Sequence, residues 1–422
     1  MMLKKIIFLF GFILILVGCK SAKITKHIDK TLDTEFYKNQ FTGLLVVNSK
    51  TKDTIFNHNA NKYFSPASNT KIVTLYTALQ FLPDSIPAFK YSVDKDTISI
   101  LGTGDPSFLH NYFMDSTALK LTQKYAKVNV LVDNITDEKL GPGWAWEDYD
   151  TYFSPERSAF PMYGNVVTVS NNDGLKVYPS ALKSKVSYSE TERPRKLNDN
   201  KFYYNPTKTR EVEIPFVTDS TLIAELWQDL LGDKVSVSNY HGEKMEMTAY
   251  SIPSDSLYKR MMQKSDNHLA EQILLLASST LSDTLSSSNM RKHILANQLA
   301  DLKQQPRWVD GSGLSRYNLF TPTSFVQILS KLYAEIPQER LFDIFPVGGK
   351  SGTIKKYYHG KSTPYIYAKS GSFSNNYNLS GYLITNSGEV LIFSFMNNHY
   401  RKSSVEIKRQ MEVVLEYLRE EY

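Results

Sequence analysis

The sequence predicts an α+β fold in which one antiparallel sheet, with helices packed on it, is interrupted by mostly β inserted domains. A β-hairpin pattern stands near the start of the chain. A second hairpin followed by an amphipathic helix closes it. Between about residues 90 and 250 the texture changes to short β-like runs and turn-rich segments. The chain has 422 residues, 41% of them hydrophobic and 22% charged, which is the composition of a folded protein. That length fits one large domain or about two to three ordinary ones.

At the N-terminus Lys4 and Lys5 precede the apolar run Ile6–Val17, and Leu16-Val17-Gly18-Cys19 follows. A run of about a dozen residues is short of the roughly 20 a membrane-spanning helix needs, and suits a signal peptide. The Leu-Val-Gly-Cys ending resembles a bacterial lipoprotein box, in which the cysteine is lipidated. Residues 1–18 are thus expected to be a signal peptide, and 19–30 the lipidated Cys19 with a polar tether. Cys19 is the one cysteine of the sequence, so neither an intramolecular disulfide nor a catalytic thiol is available. The expected setting is the bacterial cell envelope, on the periplasmic side of a membrane reached through Cys19. The formal charge of +6 falls to about +4 without Lys4 and Lys5. No dense Lys/Arg stripe stands out, and nucleic acid is excluded as a partner.

The first hairpin pairs Gly43–Ser49 with Thr54–His58 around Lys50-Thr51-Lys52-Asp53. After Pro66-Ala67, the residues Ile72, Leu75, Leu79 and Leu82 recur at helical spacing, which places Ser68 at a helix start. The middle carries Val128–Val132, Val166–Val169 and Val212–Phe216 as strand-like runs. Gly102-Thr103-Gly104-Asp105-Pro106 and Gly141-Pro142-Gly143 are among its turns. Helical patterns return at Thr221–Leu231 and Leu257–Leu276. The second hairpin joins Asn378–Thr385 to Val390–Met396 through Asn386-Ser387-Gly388-Glu389. Ile407, Met411, Val414, Leu415 and Leu418 then line one face of the last helix. The predicted division is a catalytic domain of 31–90 plus 251–422, with 91–250 inserted.

Three short motifs follow one another along the chain: Ser68-Asn69-Thr70-Lys71, Ser265-Asp266-Asn267 and Lys369-Ser370-Gly371. They supply a nucleophile with an amine one helical turn away, a hydroxyl–amide pair, and a cation beside a strand. Acyl transfer through a serine ester uses these groups. S-x-x-K alone is weak, and Ser49–Lys52, Ser180–Lys183 and Ser256–Lys259 repeat it without the hairpin-then-helix setting of Ser68. Lys350-Ser351-Gly352-Thr353 competes for the third motif. The alternating Tyr365 and Tyr367 lead into Lys369 as a strand, and Lys369 is preferred for that reason. No P-loop is formed there, because Ile344 stands where that motif needs glycine. Neither H-E-x-x-H nor G-x-S-x-G occurs, and the eight histidines are scattered. The chemistry calls for no metal and no cofactor.

The ordered set S-x-x-K, S-x-N, K-[ST]-G resembles that of penicillin-binding proteins and β-lactamases. Ser65-Pro66-Ala67, Gly104-Asp105-Pro106-Ser107-Phe108, Gly141-Pro142-Gly143-Trp144-Ala145-Trp146, Ser265–Glu271 and Asp310–Arg316 are similar to segments of the class C low-molecular-mass penicillin-binding proteins. These are D-Ala-D-Ala carboxypeptidases and DD-endopeptidases. The long interval between Lys71 and Ser265 also matches, since this family inserts domains there. The resemblance implies a penicillin-binding protein/β-lactamase-like fold and the following roles. Ser68 is the nucleophile, and Lys71, its pKa lowered by burial and by Lys369, is the base. Ser265 and Asn267 move the proton and hold the substrate amide. Lys369 and Ser370 bind the terminal carboxylate, Gly371 belongs to the same substrate-binding segment, and backbone N–H groups of Ser68 and Ser372 form the oxyanion hole. Trp144, Glu147 or Asp148, and Tyr152, with Arg316 opposite, form a pocket for the free end of a diamino acid. Peptidoglycan stem peptides or cross-links are the implied partners, and β-lactams the implied inhibitors. Two alternatives are a β-lactamase and a non-catalytic, peptidoglycan-binding envelope lipoprotein.

Overall fold

The computed structural model describes residues 22–172, 174–207, 210–361 and 363–422. The expected signal peptide, residues 1–18, and Cys19 lie outside the described residues. The polar tether expected at 19–30 is corrected from residue 22 onward, because the chain is helical over 22–32. Ile24, Ile28 and Leu32 are buried in one cluster with Met411, Val414 and Leu418 of the terminal helix, Ser404–Glu421. They recur every four residues, a one-face stripe that the polar average of the segment conceals. His27 stacks on Tyr417 at 3.7 Å, and Lys23 pairs with Glu421 at 2.8 Å.

Both predicted hairpins join one five-stranded antiparallel sheet. Its order is Ile366–Phe373, Asn376–Ile384, Val390–Asn398, Phe41–Asn48, Thr54–His58. Along Val390–Asn398, Leu391, Phe393 and Phe395 face the terminal helix, while Val390, Ile392 and Met396 face the opposite core. That alternation is the period of two of a strand covered on both faces. The opposite core contains the helices Lys71–Phe81, Asn267–Ser278 and Pro322–Glu335. All five predicted positions of the terminal helix are buried, and a capping box between Ser403 and Glu406 starts it.

The insertion is built on a second five-stranded sheet, ordered Val235–Asn239, Lys127–Val132, Thr97–Gly102, Ser85–Asp94, Met247–Pro253. Lys127–Val132 runs parallel to both of its neighbours, and the other pairings are antiparallel. Two three-stranded sheets and the helices Thr117–Thr122 and Ser220–Leu231 also belong to the insertion, with Trp227 stacked on Phe108 in its core. Ser85–Asp94 is one unbroken strand and Met247–Pro253 another, so limits at 91 and 250 cut through both. The insertion's own sheet begins at Ser85 and ends at Pro253.

Candidate active site

Ser68 sits in the tight turn Ala67–Thr70, which runs directly into the helix Lys71–Phe81. Lys71 follows one turn later and is fully buried. Its Nζ donates to Ser68 Oγ at 3.1 Å, to Asn267 Oδ1 at 2.7 Å and to the Ser312 carbonyl at 2.6 Å. An ammonium has three donors, and all three are used. Burial lowers the Lys71 pKa to about 8, against the opposing pull of Asp310, Glu271 and Asp266. Near neutral pH a share of the lysine is therefore unprotonated, with a lone pair facing the Ser68 hydroxyl.

The second motif is a break between two helices. Ser265 ends Ser254–Lys264 in the left-handed region, at φ 57° and ψ 39°. Asp266 starts Asn267–Ser278 by accepting the Leu269 N–H at 3.1 Å. The break lets consecutive residues point to different partners. Asn267 faces Lys71 and donates its Nδ2 to the Phe153 carbonyl at 2.9 Å, while Ser265 Oγ accepts Lys369 Nζ at 2.9 Å.

The third motif lies on Ile366–Phe373, an edge strand of the sheet. Lys369 is fully buried and also donates to the Ser370 carbonyl at 2.7 Å. Burial, and then the charge of Lys71, hold its pKa well below the usual lysine range. Burial is the leading cause at both lysines, and the lysine–lysine repulsion that the resemblance implies for Lys71 acts on Lys369 instead. Ser370 Oγ stands 2.7 Å from Thr353 Oγ1. Lys350, in the competing motif, is exposed, and that segment reaches the site through Thr353.

Glycine at 371 has a steric cause, because a β-carbon there would lie 2.3 Å from the Pro66 carbonyl oxygen and 2.9 Å from Ser68 N. The strand and the Ser68 turn can approach only without a side chain. Gly371→Ala should therefore cost about 1–3 kcal/mol of stability. By displacing Ser68 it should slow acylation by about 10²-fold. Thermal unfolding and acylation rates measured together check this, and a wild-type rate in the variant would refute it.

Ser68, Ser265, Asn267, Ser372, Glu147, Asp148, Tyr152 and Arg316 line one cleft of about 860 Å³. Lys71, Lys369 and Gly371 are buried, and Ser370 is 8% exposed. Asp148 has its pKa raised by burial, with the Arg316 charge acting the other way. Arg316 itself lies over the Phe373 ring at 5.5 Å.

Trp144 is a correction, since it does not line the cleft. Its turn closes from Trp144 N to the Gly141 carbonyl at 3.2 Å, and its indole Nε1 donates to Asp310 Oδ2 at 2.9 Å. The ring thus braces the Asp310 loop, and the next tryptophan, Trp146, is the one left 74% exposed. Asp310 also accepts the N–H groups of Gly313 and Ser315 at 2.9 and 2.6 Å. It thereby shapes the loop whose Ser312 carbonyl holds Lys71. Sequence reading missed Ser312 and Phe153, whose contributions are backbone carbonyls, along with Thr353 and Glu271.

With this geometry in place, residues 24–196 and 230–418 match the D-Ala-D-Ala carboxypeptidase 3 (S13) family. This chain belongs to that family. The stretch between the matched segments, 197–229, lies in the insertion. Among curated relatives, the D-alanyl-D-alanine carboxypeptidase DacB of Haemophilus influenzae is 30% identical over 187 residues, covering 41% of this chain and 37% of the relative's own length. The penicillin-sensitive carboxypeptidase A of Dictyostelium discoideum is 22% identical over 410 residues, covering 79% of this chain and 76% of the relative. The crystal structure of penicillin binding protein 4 (dacB) from Haemophilus influenzae superposes with a TM-score of 0.70. That match spans 92% of this S13 chain and 97% of the other at 20% identity, and it establishes a shared fold. A predatory peptidoglycan endopeptidase from Bdellovibrio bacteriovorus shares the fold at a TM-score of 0.52 and 16% identity, covering 90% and 92% of the two chains. The expected α+β, penicillin-binding-protein-like fold is the one observed.

Proposed function

We propose that this S13 protein is a serine-type D-Ala-D-Ala carboxypeptidase and endopeptidase that opens peptidoglycan peptides through an acyl-enzyme on Ser68. Neutral Lys71 takes the Ser68 proton as Oγ attacks the carbonyl of the penultimate D-Ala. The Ser68 and Ser372 N–H groups receive the oxyanion, each worth about 3–4 kcal/mol in such sites. Ser265 relays the proton taken up by Lys71 to the leaving amine as the peptide bond breaks, which returns Lys71 to its neutral form, and Asn267 holds the substrate amide. Lys369 and Ser370 bind the terminal carboxylate. Water then cleaves the ester, which releases the peptide acid and restores the serine. A β-lactam enters by the same attack and remains as a slowly hydrolysed adduct. The carrying observation is one buried amine bound at once to the nucleophile and to the second-motif amide, at 3.1 and 2.7 Å. A β-lactam complex of the Haemophilus influenzae protein supports the inhibitor class.

Glu147 or Asp148, with Tyr152 and Arg316 opposite, is the proposed pocket for the free end of the peptide's diamino acid, an amine meeting the acid and a carboxylate the arginine. Lipidation at Cys19 would anchor the enzyme at the periplasmic side of a membrane in the bacterial envelope. No helix of the described residues is long and apolar enough to cross a membrane.

Intact-mass measurement with benzylpenicillin, beside Ser68→Ala, tests the reading. A single stable adduct that the variant lacks is expected. Fast drug hydrolysis without an adduct would instead indicate a β-lactamase, and neither result from folded protein would indicate a non-catalytic peptidoglycan binder.

A further inference from the structure

Glu271 lies one helical turn after Asn267 on the helix Asn267–Ser278, so both side chains share a face. It is fully buried, where a carboxylate is costly unless paired and hydrogen-bonded. Its Oε1 accepts the Ser312 N–H at 2.7 Å, and the carbonyl of that same Ser312 accepts Lys71 Nζ at 2.6 Å. Its Oε2 makes no hydrogen bond among the described residues and stands 3.6 Å from Arg157 Nη1. One helix therefore holds Lys71 twice, directly through Asn267 and indirectly through Ser312.

We propose that Glu271 is a positioning residue for acyl transfer. By fixing Ser312 it aims the carbonyl that keeps Lys71 Nζ on Ser68 Oγ, and its charge sets how readily that lysine releases a proton. The proposal rests on the reading of Lys71 as the base.

The charged surroundings allow both parts. Asp310 and Asp266 join Glu271 in favouring protonated Lys71, and Lys369 faces it from the edge strand. Around Glu271 stand Arg157 from the insertion, Asp310 from the loop and Arg291 from the helix Ser287–Ala296. Arg157 is pinned by Asp137 at 3.1 Å and by the Glu138 carbonyl at 3.0 Å. Burial and then Asp310 raise the Glu271 pKa, and Arg157 opposes them. A carboxylate with one fixed N–H and one fixed cation is coupled to the base without touching substrate.

The test compares benzylpenicillin acylation of wild type, Glu271→Gln and Glu271→Asp from about pH 6 to about pH 10, alongside thermal unfolding. Glutamine still offers an oxygen to Ser312 but removes the charge. The pH midpoint of its acylation rate should fall by about half a unit or more, with the plateau kept within about threefold. Aspartate keeps the charge but is one methylene short of Ser312. Its plateau should drop about tenfold or more with the midpoint near wild type. A purely structural role would lower melting temperature and active fraction without moving the midpoint. An unmoved midpoint in the Gln variant, or a full plateau in the Asp variant, overturns the proposal, and the Asp arm decides if the Gln variant does not fold. Absence of acylation in wild type would overturn the acyl-enzyme reading together with it, so the two failures are told apart.

Discussion

Lys71→Met should acylate with benzylpenicillin at neutral pH about 10³-fold more slowly than wild type, the size of effect that a positioned general base supplies. Methionine is close to lysine in length and suits a buried site, so the amine is removed with little change of shape. Lys71→Arg should be as slow, because guanidinium keeps the positive charge yet stays protonated. If charge alone sufficed, Arg would rescue activity, and that result would remove Lys71 from the role of base. In wild type the sign of the pH dependence follows from a pKa lowered to about 8. Below that pH the lysine is protonated and the rate should fall by about tenfold per unit, and above it the rate should level off. A profile flat from about pH 6 to 9 would show that another group takes the serine proton.

Much of this site was legible in the sequence because it is written in side chains at fixed spacings. Ser68 and Lys71 are one turn apart where an apolar helical pattern begins. Ser265-Asp266-Asn267 uses residues that end and start helices, and the break they form is what aims them. Gly371 could be matched to a motif, but its reason, the Pro66 carbonyl 2.3 Å from a would-be β-carbon, exists only once the strand meets the turn. The Ser312 and Phe153 carbonyls leave no trace in residue type, since every residue carries one. Glu271 reads as a polar interruption in an apolar run until the Asp310 loop closes over it. Trp144 failed for a related reason. An aromatic in a glycine-rich turn can face cleft or core, and the Asp310 carboxylate, distant in sequence, decides it. In the fold, the hairpins and the terminal helix were readable from periods of two and 3.6. The helix over 22–32 was not, because three apolar residues among charged ones gain meaning only against the terminal helix.

Lys369→Ala should reduce kcat/KM for a peptide ending in D-Ala-D-Ala by about 10²-fold, the loss of a charge-assisted bond to a carboxylate. Lys350→Ala should stay within about twofold, as expected for an exposed turn residue. The carboxylate can be tested directly with a substrate whose C-terminus is amidated. Wild type should lose about as much on amidation as it loses on Lys369→Ala, and the variant should barely distinguish the two substrates. A further consequence separates anchor from neighbour. The charge of Lys71 adds to burial in holding the Lys369 pKa down, so Lys369 has lost its proton before Lys71 titrates. Removing Lys369 should therefore lower the acylation plateau and leave its pH midpoint near wild type. Were Lys350→Ala to carry the loss and its amidation response, the carboxylate site would belong to the Lys350 turn, and Lys369 would keep only its bond to Ser265.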